Sequence, residues 1–144
     1  MTETADQLIE EFLRAPRVAV VGASDRKAKW GYKIFRFLKQ RGHEVFAVNP
    51  GLEKIEDSPC WKKLEDLPRP DPSRPPVDGI DLVVNPSIGI GVARSAKALG
   101  IPIIFAQPGA ESAEIADYCR ENGIGYVEAC VLVEGSNRPI RPSR

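Results

Sequence analysis

The residues best suited to chemistry follow a buried apolar run. Val18–Val21 leads into Gly22-Ala23-Ser24 and then a cationic stretch holding Arg26, Lys27 and Lys29. A glycine directly after a buried strand lets the backbone turn sharply and approach a ligand closely. Exposed N–H groups of such a turn, the Ser24 hydroxyl and the start of the next helix all favour an anion, with Lys27 or Lys29 adding a phosphate contact. The plainer alternative is a tight strand-to-helix turn with solvated lysines. Apolar Ile34, Phe35 and Leu38 at helical spacing follow, stopped by Gly42, and a second apolar run, Val45–Val48, ends in Asn49-Pro50. This is a strand–loop–helix–strand unit of the nucleotide-binding kind. It departs from the dinucleotide fingerprint, which needs G-x-G-x-x-G and an acidic residue after the second strand. Here Gly22 stands alone at the turn, Gly31 comes nine residues later, and Asn49 replaces the carboxylate. Plain NAD binding is disfavoured.

No catalytic constellation accompanies the turn. His43 is the single histidine and follows Gly42 at a helix end, where a satisfied or solvent-facing side chain is expected. Without a second candidate base, no Ser–His–Asp arrangement can be assembled. Cys60, Cys119 and Cys130 are odd in number and widely spaced with no C-x-x-C pair. A disulfide framework or zinc site is therefore not expected, and a reducing cytoplasm is the simplest setting. Cys130 reads as a core thiol in an apolar strand, Ala129–Val133. Glu111 is expected to favour the N-terminus of the helix after Gly109. Trp30 either stacks on a base or covers the start of its helix.

These residues must be held by a regular alternation of elements. Ala5–Arg14 reads as a short amphipathic helix through Leu8, Ile9, Phe12 and Leu13. Cys60–Leu67 fits a short helical turn, with a minor strand around Pro59–Trp61 as an option. Arg69–Gly79 carries Pro70, Pro72, Pro75 and Pro76 and reads as a surface loop. Ile80–Val84 reads as a strand, Val92–Leu99 as a helix and Ile103–Ala106 as a strand. Ser112–Glu121 reads as a helix, and Gly125–Val127 as a last strand that is allowed to run to Leu132. Strands that are apolar throughout, separated by helices, indicate a doubly wound parallel sheet, α/β, three-layer α/β/α and Rossmann-like. If Ile80–Val84 lies beside the first strand, the loops Gly22–Trp30 and Asn85–Gly91 flank the ligand crevice, with Pro86 and the Gly89/Gly91 pair giving the second loop a close backbone.

The 144 residues suit a single domain with a core over about 8–134 and a loose tail at 135–144, able to pack on a partner. Twenty basic and twenty acidic residues leave no global field toward nucleic acid or membrane. The first seven residues lack the apolar region of a signal peptide, and no apolar run approaches the ~20 residues that span a bilayer.

Six segments taken in order resemble the stand-alone CoA-binding domain family, related to the CoA-binding domain of succinyl-CoA synthetase α chains. They are VAVVGAS (Val18–Ser24), GYKIFRFLKQRGHEVFAVNP (Gly31–Pro50), CWKKLEDLP (Cys60–Pro68), IDLVVNPS (Ile80–Ser87), FAQPGAES (Phe105–Ser112) and GYVEACVLVE (Gly125–Glu134). The resemblance implies a Rossmann-like sheet binding coenzyme A or an acyl-CoA. It implies phosphate at Gly22, Ala23 and Ser24, and the charged end of the nucleotide at Lys27 or Lys29. Asn49 and Pro50 would lie near the adenosine, and Pro86 and Ser87 near the start of the pantetheine arm. It further implies a carrier, sensor or regulatory protein without catalytic residues or metal, partnered by a small-molecule nucleotide and by another protein or a second copy. A minor alternative puts Cys130 near the CoA sulfur. The chain departs from relatives in its longer proline loop, in Asn85 before Pro86 and in Ala129 before Cys130, where they carry basic residues. The competing readings are a small NADP-linked or thioester-handling enzyme, and a structural subunit with a vestigial nucleotide site.

Overall fold

The computed structural model describes residues 3–143; Met1, Thr2 and Arg144, at the ends of the N-terminal segment and of the tail, lie outside the described residues. The first helix, α1 (Ala5–Arg14), begins at a capping box in which the Thr4 hydroxyl accepts from Gln7 N–H and the Gln7 side chain accepts from Thr4 N–H. The strands are β1 (Arg17–Val21), β2 (Glu44–Val48), β3 (Lys54–Ile55), β4 (Ser58–Trp61), β5 (Gly79–Leu82), β6 (Ile103–Ala106) and β7 (Gly125–Glu128). The remaining helices are α2 (Trp30–Arg41), α3 (Pro86–Leu99), α4 (Ala113–Glu121) and α5 (Val131–Asn137). The sheet order is β3-β4-β2-β1-β5-β6-β7, parallel except for the short antiparallel β3–β4 pair. The chain winds outward from β1 in one direction through β2 and β4, then crosses back to β5 and continues the other way. The order therefore reverses between β1 and β5, as expected.

Alternate strand residues feed two cores. Val18, Val20 and Phe105 pack with α1, α2 and α5 on one face, whereas Ala19, Ile80, Leu82 and Ile104 pack with α3 and α4 on the other. Burying both faces explains why these strands read as continuous apolar runs. His43 is a satisfied core residue: its Nδ1 lies 2.7 Å from the Ala15 carbonyl and Arg41 Nε donates to its Nε2. Burial, more than anything else, holds its pKa below the ordinary histidine value.

Several expectations are corrected. Helix α3 starts at Pro86, not Val92, so the supposed Asn85–Gly91 loop is its first turns; Asn85 caps it, and Pro86 takes the position where a missing N–H costs nothing. Gly89 sits there for packing, since a Cβ would lie 2.8 Å from Ile115. The last strand ends at Glu128, and Val131–Leu132 begin α5, so Cys130 is the residue before a helix rather than a member of a strand. A short apolar run does not distinguish a strand from a buried helix turn. Cys60–Leu67 is the end of β4 followed by a 3-10 turn at Leu64–Asp66. Ser112, not Glu111, caps α4; the Glu111 carboxylate accepts the Gly109 N–H at 3.0 Å. The tail is docked rather than loose. Arg41 donates to the carbonyls of Leu13, Gly135 and Ile140, Arg138 pairs with Asp6 at 2.8 Å, and Ser143 N–H reaches the Arg14 carbonyl. The proline loop is held by Arg17, which donates to the carbonyls of Pro68 and Pro76.

Candidate functional site

The turn after β1 is built on contacts only glycine permits. Gly22 has φ +100°, and a Cβ there would lie 2.4 Å from the Val83 carbonyl oxygen. At Gly31 a Cβ would lie 2.0 Å from the Gly22 carbonyl oxygen, so the first turn of α2 rests directly on the glycine turn. Gly31 thus performs the close helix–strand packing that the third glycine provides in the dinucleotide fingerprint, displaced along the chain. The Gly22 N–H is not free for a ligand, because it donates to the Val48 carbonyl at 2.9 Å. The N–H groups of Ala23 and Ser24 meet no acceptor among the described residues. Ser24 Oγ accepts from Arg26 N–H at 3.1 Å and keeps its own proton to donate. Asn49 stands where a ribose-binding carboxylate would be, but it braces the turn. Its Nδ2 donates to the Ala23 carbonyl at 2.8 Å, and its Oδ1 accepts from Gly51 N–H.

Two clefts open over the carboxyl ends of the strands, on either side of Val84, which lines both. One, of about 460 Å³, lies over β1, β2 and β4 and includes Gly22, Asn49, Pro50, Lys62 and Lys63, with Ile88 and Val92 of α3 forming an apolar wall. Neither lysine is within salt-bridge distance of a carboxylate among the described residues, although Glu65 shares the cleft. The other, of about 420 Å³, lies over β5 and β6 and is lined by Trp30, Asn85, Gln107, Pro108, Ala110 and Cys130. Trp30 stays largely exposed, with the Lys33 ammonium 4.9 Å from its ring centroid.

Of the residues singled out in the sequence, Gly22, Asn49 and Pro50 line the first cleft, and Ala23 and Ser24 continue the turn. Lys27 and Lys29 are exposed on the loop beside the turn and line neither cleft. Pro86 and Ser87 form the start of α3 between the clefts, with the Ser87 hydroxyl committed to Asn85 Oδ1. Lys62, Lys63 and Gln107 were missed. The lysine pair just past a strand end was a visible signal, whereas Gln107 acquires its place only when β6 is set beside β5.

Beneath the second cleft, Asp81 is fully buried on β5 and neither carboxyl oxygen has a partner. Burial alone drives its pKa well above the ordinary carboxylate value, which favours the neutral form. Burial also pushes the Cys119 thiol up to about 11, and Cys60 shifts in the same direction. Both thiols are thereby kept unreactive. No group of three or more metal-ligating side chains occurs among the described residues, and no described helix is long and apolar enough to cross a membrane.

The chain is similar to an uncharacterized protein of Bacillus subtilis, YneT, at 26% identity over 127 residues, covering 87% of this chain and 90% of that one. It is 31% identical over 62 residues to the ADP-forming acetate–CoA ligase II subunit alpha of Pyrococcus furiosus; the match covers 42% of this chain and 14% of that subunit. Among solved structures, a conserved hypothetical protein from Pyrococcus furiosus superposes with a TM-score of 0.73 at 38% identity, over 82% of this chain and 97% of that one. Prb, a protein redesigned for binding, superposes with a TM-score of 0.83 over 94% of this chain and 92% of its own; at 24% identity that likeness concerns the fold. The sequence pattern of the CoA binding domain matches residues 16–136, which is most of the chain. With this fold and these clefts, the chain belongs to the CoA binding domain family.

Proposed function

We propose that the protein binds coenzyme A or an acyl-CoA across the strand ends without turning it over, as a carrier, sensor or regulatory component in a reducing cytoplasm. The observation that carries this reading is the pair of clefts that share Val84, one of them lined by Gly22, with the Ser24 amide meeting no acceptor on the partly exposed continuation of that turn. A ligand with a diphosphate between two dissimilar arms fits that layout. The diphosphate lies on the turn and the start of α2, where backbone N–H groups and the helix dipole favour negative charge. Lys27 and Lys29 add charge from the loop. The adenosine occupies the cleft of Asn49 and Pro50, and its ribose phosphate meets Lys62 and Lys63. The pantetheine arm passes Val84 and the Pro86–Ser87 helix start into the cleft of Trp30 and Cys130. Family membership supports this choice of ligand.

Titration calorimetry with CoA, dephospho-CoA, ATP and NADP tests the reading. CoA should bind about 10-fold more tightly than dephospho-CoA, the worth of one charge-assisted contact. Reversing both charges at Lys62 and Lys63 should erase that ratio, whereas reversal at Lys27 and Lys29 should weaken both ligands alike. No binding of CoA would sink the function, and a ratio that survives at Lys62 and Lys63 would sink the orientation.

A further inference from the structure

The cleft of Trp30 and Cys130 has a chemical character of its own. None of the side chains lining it is charged. At its rim the Glu111 carboxylate accepts from the Gly109 N–H, and the Lys33 ammonium stacks on Trp30. Gln107 is only 4% exposed, yet it lines this cleft. Its Oε1 accepts from the Val131 N–H at 2.9 Å, which fixes the amide orientation and leaves Nε2 as the remaining group. Nε2 has no acceptor among the described residues and is not sealed in the interior, since the buried unpartnered side-chain atoms are those of Asp81. A nearly buried amide with one end tied down and a free donor at a cleft wall calls for an acceptor from a ligand. The amide tied to Gln107 is that of the residue following Cys130, so this donor lies at the thiol-bearing end of the cleft.

Resting on the CoA-binding reading, we propose that this cleft selects acyl-CoA thioesters with uncharged acyl groups over free CoA and over dicarboxylic acyl-CoAs, with Gln107 Nε2 donating to the thioester carbonyl oxygen. The carbonyl completes a hydrogen bond that a bare thiol leaves unmade. The apolar wall formed by Trp30, Pro108 and Ala110 takes up a hydrocarbon acyl group. A terminal carboxylate there loses water without gaining a cation and lies near Glu111, so succinyl-type acyl groups are rejected. Selection in this form needs no covalent step.

The test is calorimetry of the full chain with CoA, acetyl-CoA, S-ethyl-CoA and succinyl-CoA. S-ethyl-CoA keeps the size of acetyl-CoA and lacks only its carbonyl oxygen. Acetyl-CoA should bind about 5-fold more tightly than S-ethyl-CoA and at least about 10-fold more tightly than succinyl-CoA. In Gln107→Met, which keeps the side-chain length but has no donor, the acetyl-to-ethyl ratio should fall to near one. As a readout independent of the variant, alkylation of Cys130 followed by peptide mass spectrometry should be slowed more by acetyl-CoA than by S-ethyl-CoA at equal concentration. Equal affinity for acetyl- and S-ethyl-CoA in the unaltered protein, or succinyl-CoA binding as tightly as acetyl-CoA with Lys33 as its counter-ion, overturns the proposal while CoA binding stands. Failure of CoA itself to bind overturns both.

Discussion

Asp81 places a carboxyl in the middle of the sheet, between Val20 of β1 and Phe105 of β6, with no hydrogen-bond partner for either oxygen. An unpaired carboxylate there would cost far more than a neutral acid, so the folded protein holds the proton that the unfolded chain releases near pH 4. The sign of the linkage follows. Above that pH the folded state binds more protons than the unfolded state, and stability falls as pH rises until it passes the elevated folded pKa. The slope within that window approaches about 1.4 kcal/mol per pH unit. Urea unfolding between pH 4 and pH 8 should show this decline, and Asp81→Asn should remove it while leaving the contributions of other groups. A variant with the same slope as the parent would mean that Asp81 is ionised in the fold. Gln107 has the opposite character at the same scale, a nearly buried amide with one end satisfied and the other open to a cleft.

Between elements, the decisive contact is the seat of α2 on the turn after β1. Helix α2 has no side-chain cap, since Lys29 makes no capping hydrogen bond; Tyr32 N–H donates to the Lys29 carbonyl, and the Trp30 and Gly31 amides meet no acceptor among the described residues. Its position is set by Gly31 lying against the Gly22 carbonyl, a contact that no other residue accommodates. Gly31→Ala forces the helix away from the turn and widens the proposed anion site. CoA affinity should fall by at least about 10-fold, with a loss of roughly 1–3 kcal/mol in stability from overpacking. Parallel calorimetry and chemical unfolding check both numbers; unchanged CoA affinity would separate the helix start from the diphosphate. The Asn49 brace explains why the second strand ends in an amide. A carboxylate at that position would accept from Gly51 but leave the Ala23 carbonyl without a donor.

At the scale of the molecule, the C-terminal residues close the face that carries α1 and α2. Arg41 reaches from the end of α2 to carbonyls of α1, α5 and the tail, while Arg138 meets Asp6, Glu10 and Glu134. Arg138 is half-buried, but its partners Asp6 and Glu10 are exposed, so those pairs are screened by solvent and contribute little individually. Arg41 is partly buried and satisfies several main-chain oxygens, each such charged hydrogen bond being worth about 1.5–3 kcal/mol. Arg41→Ala should lower stability by roughly 2–4 kcal/mol and make the tail after Asn137 sensitive to proteinase K. A tail equally resistant in the variant would mean that it is held by packing alone. This closure lies away from the clefts, so ligand affinity is expected to change far less than proteolysis.

Local pattern alone determined the parallel three-layer architecture, the reversal between β1 and β5, and the tight glycine turn after β1. These depend on apolar runs, helix spacing and a glycine after a strand, all readable within a few residues of one another. The start of α3 was also legible in Asn85-Pro86, but two glycines in its first turns mimicked a loop; they are tolerated because Gly89 packs under Ile115. Tertiary structure decided which cations reach a cleft. Lys27 and Lys29 lie close in the chain to the turn yet stay outside, whereas Lys62 and Lys63 arrive with β4, paired in parallel with β2. It also decided that Ala129–Val133 leaves the sheet for a helix, because the Val131 amide finds the Gln107 side chain rather than a strand neighbour. Backbone preferences act over a few residues, but the partner that satisfies a given amide or charge is chosen by chain segments far apart in sequence, and only packing brings them together.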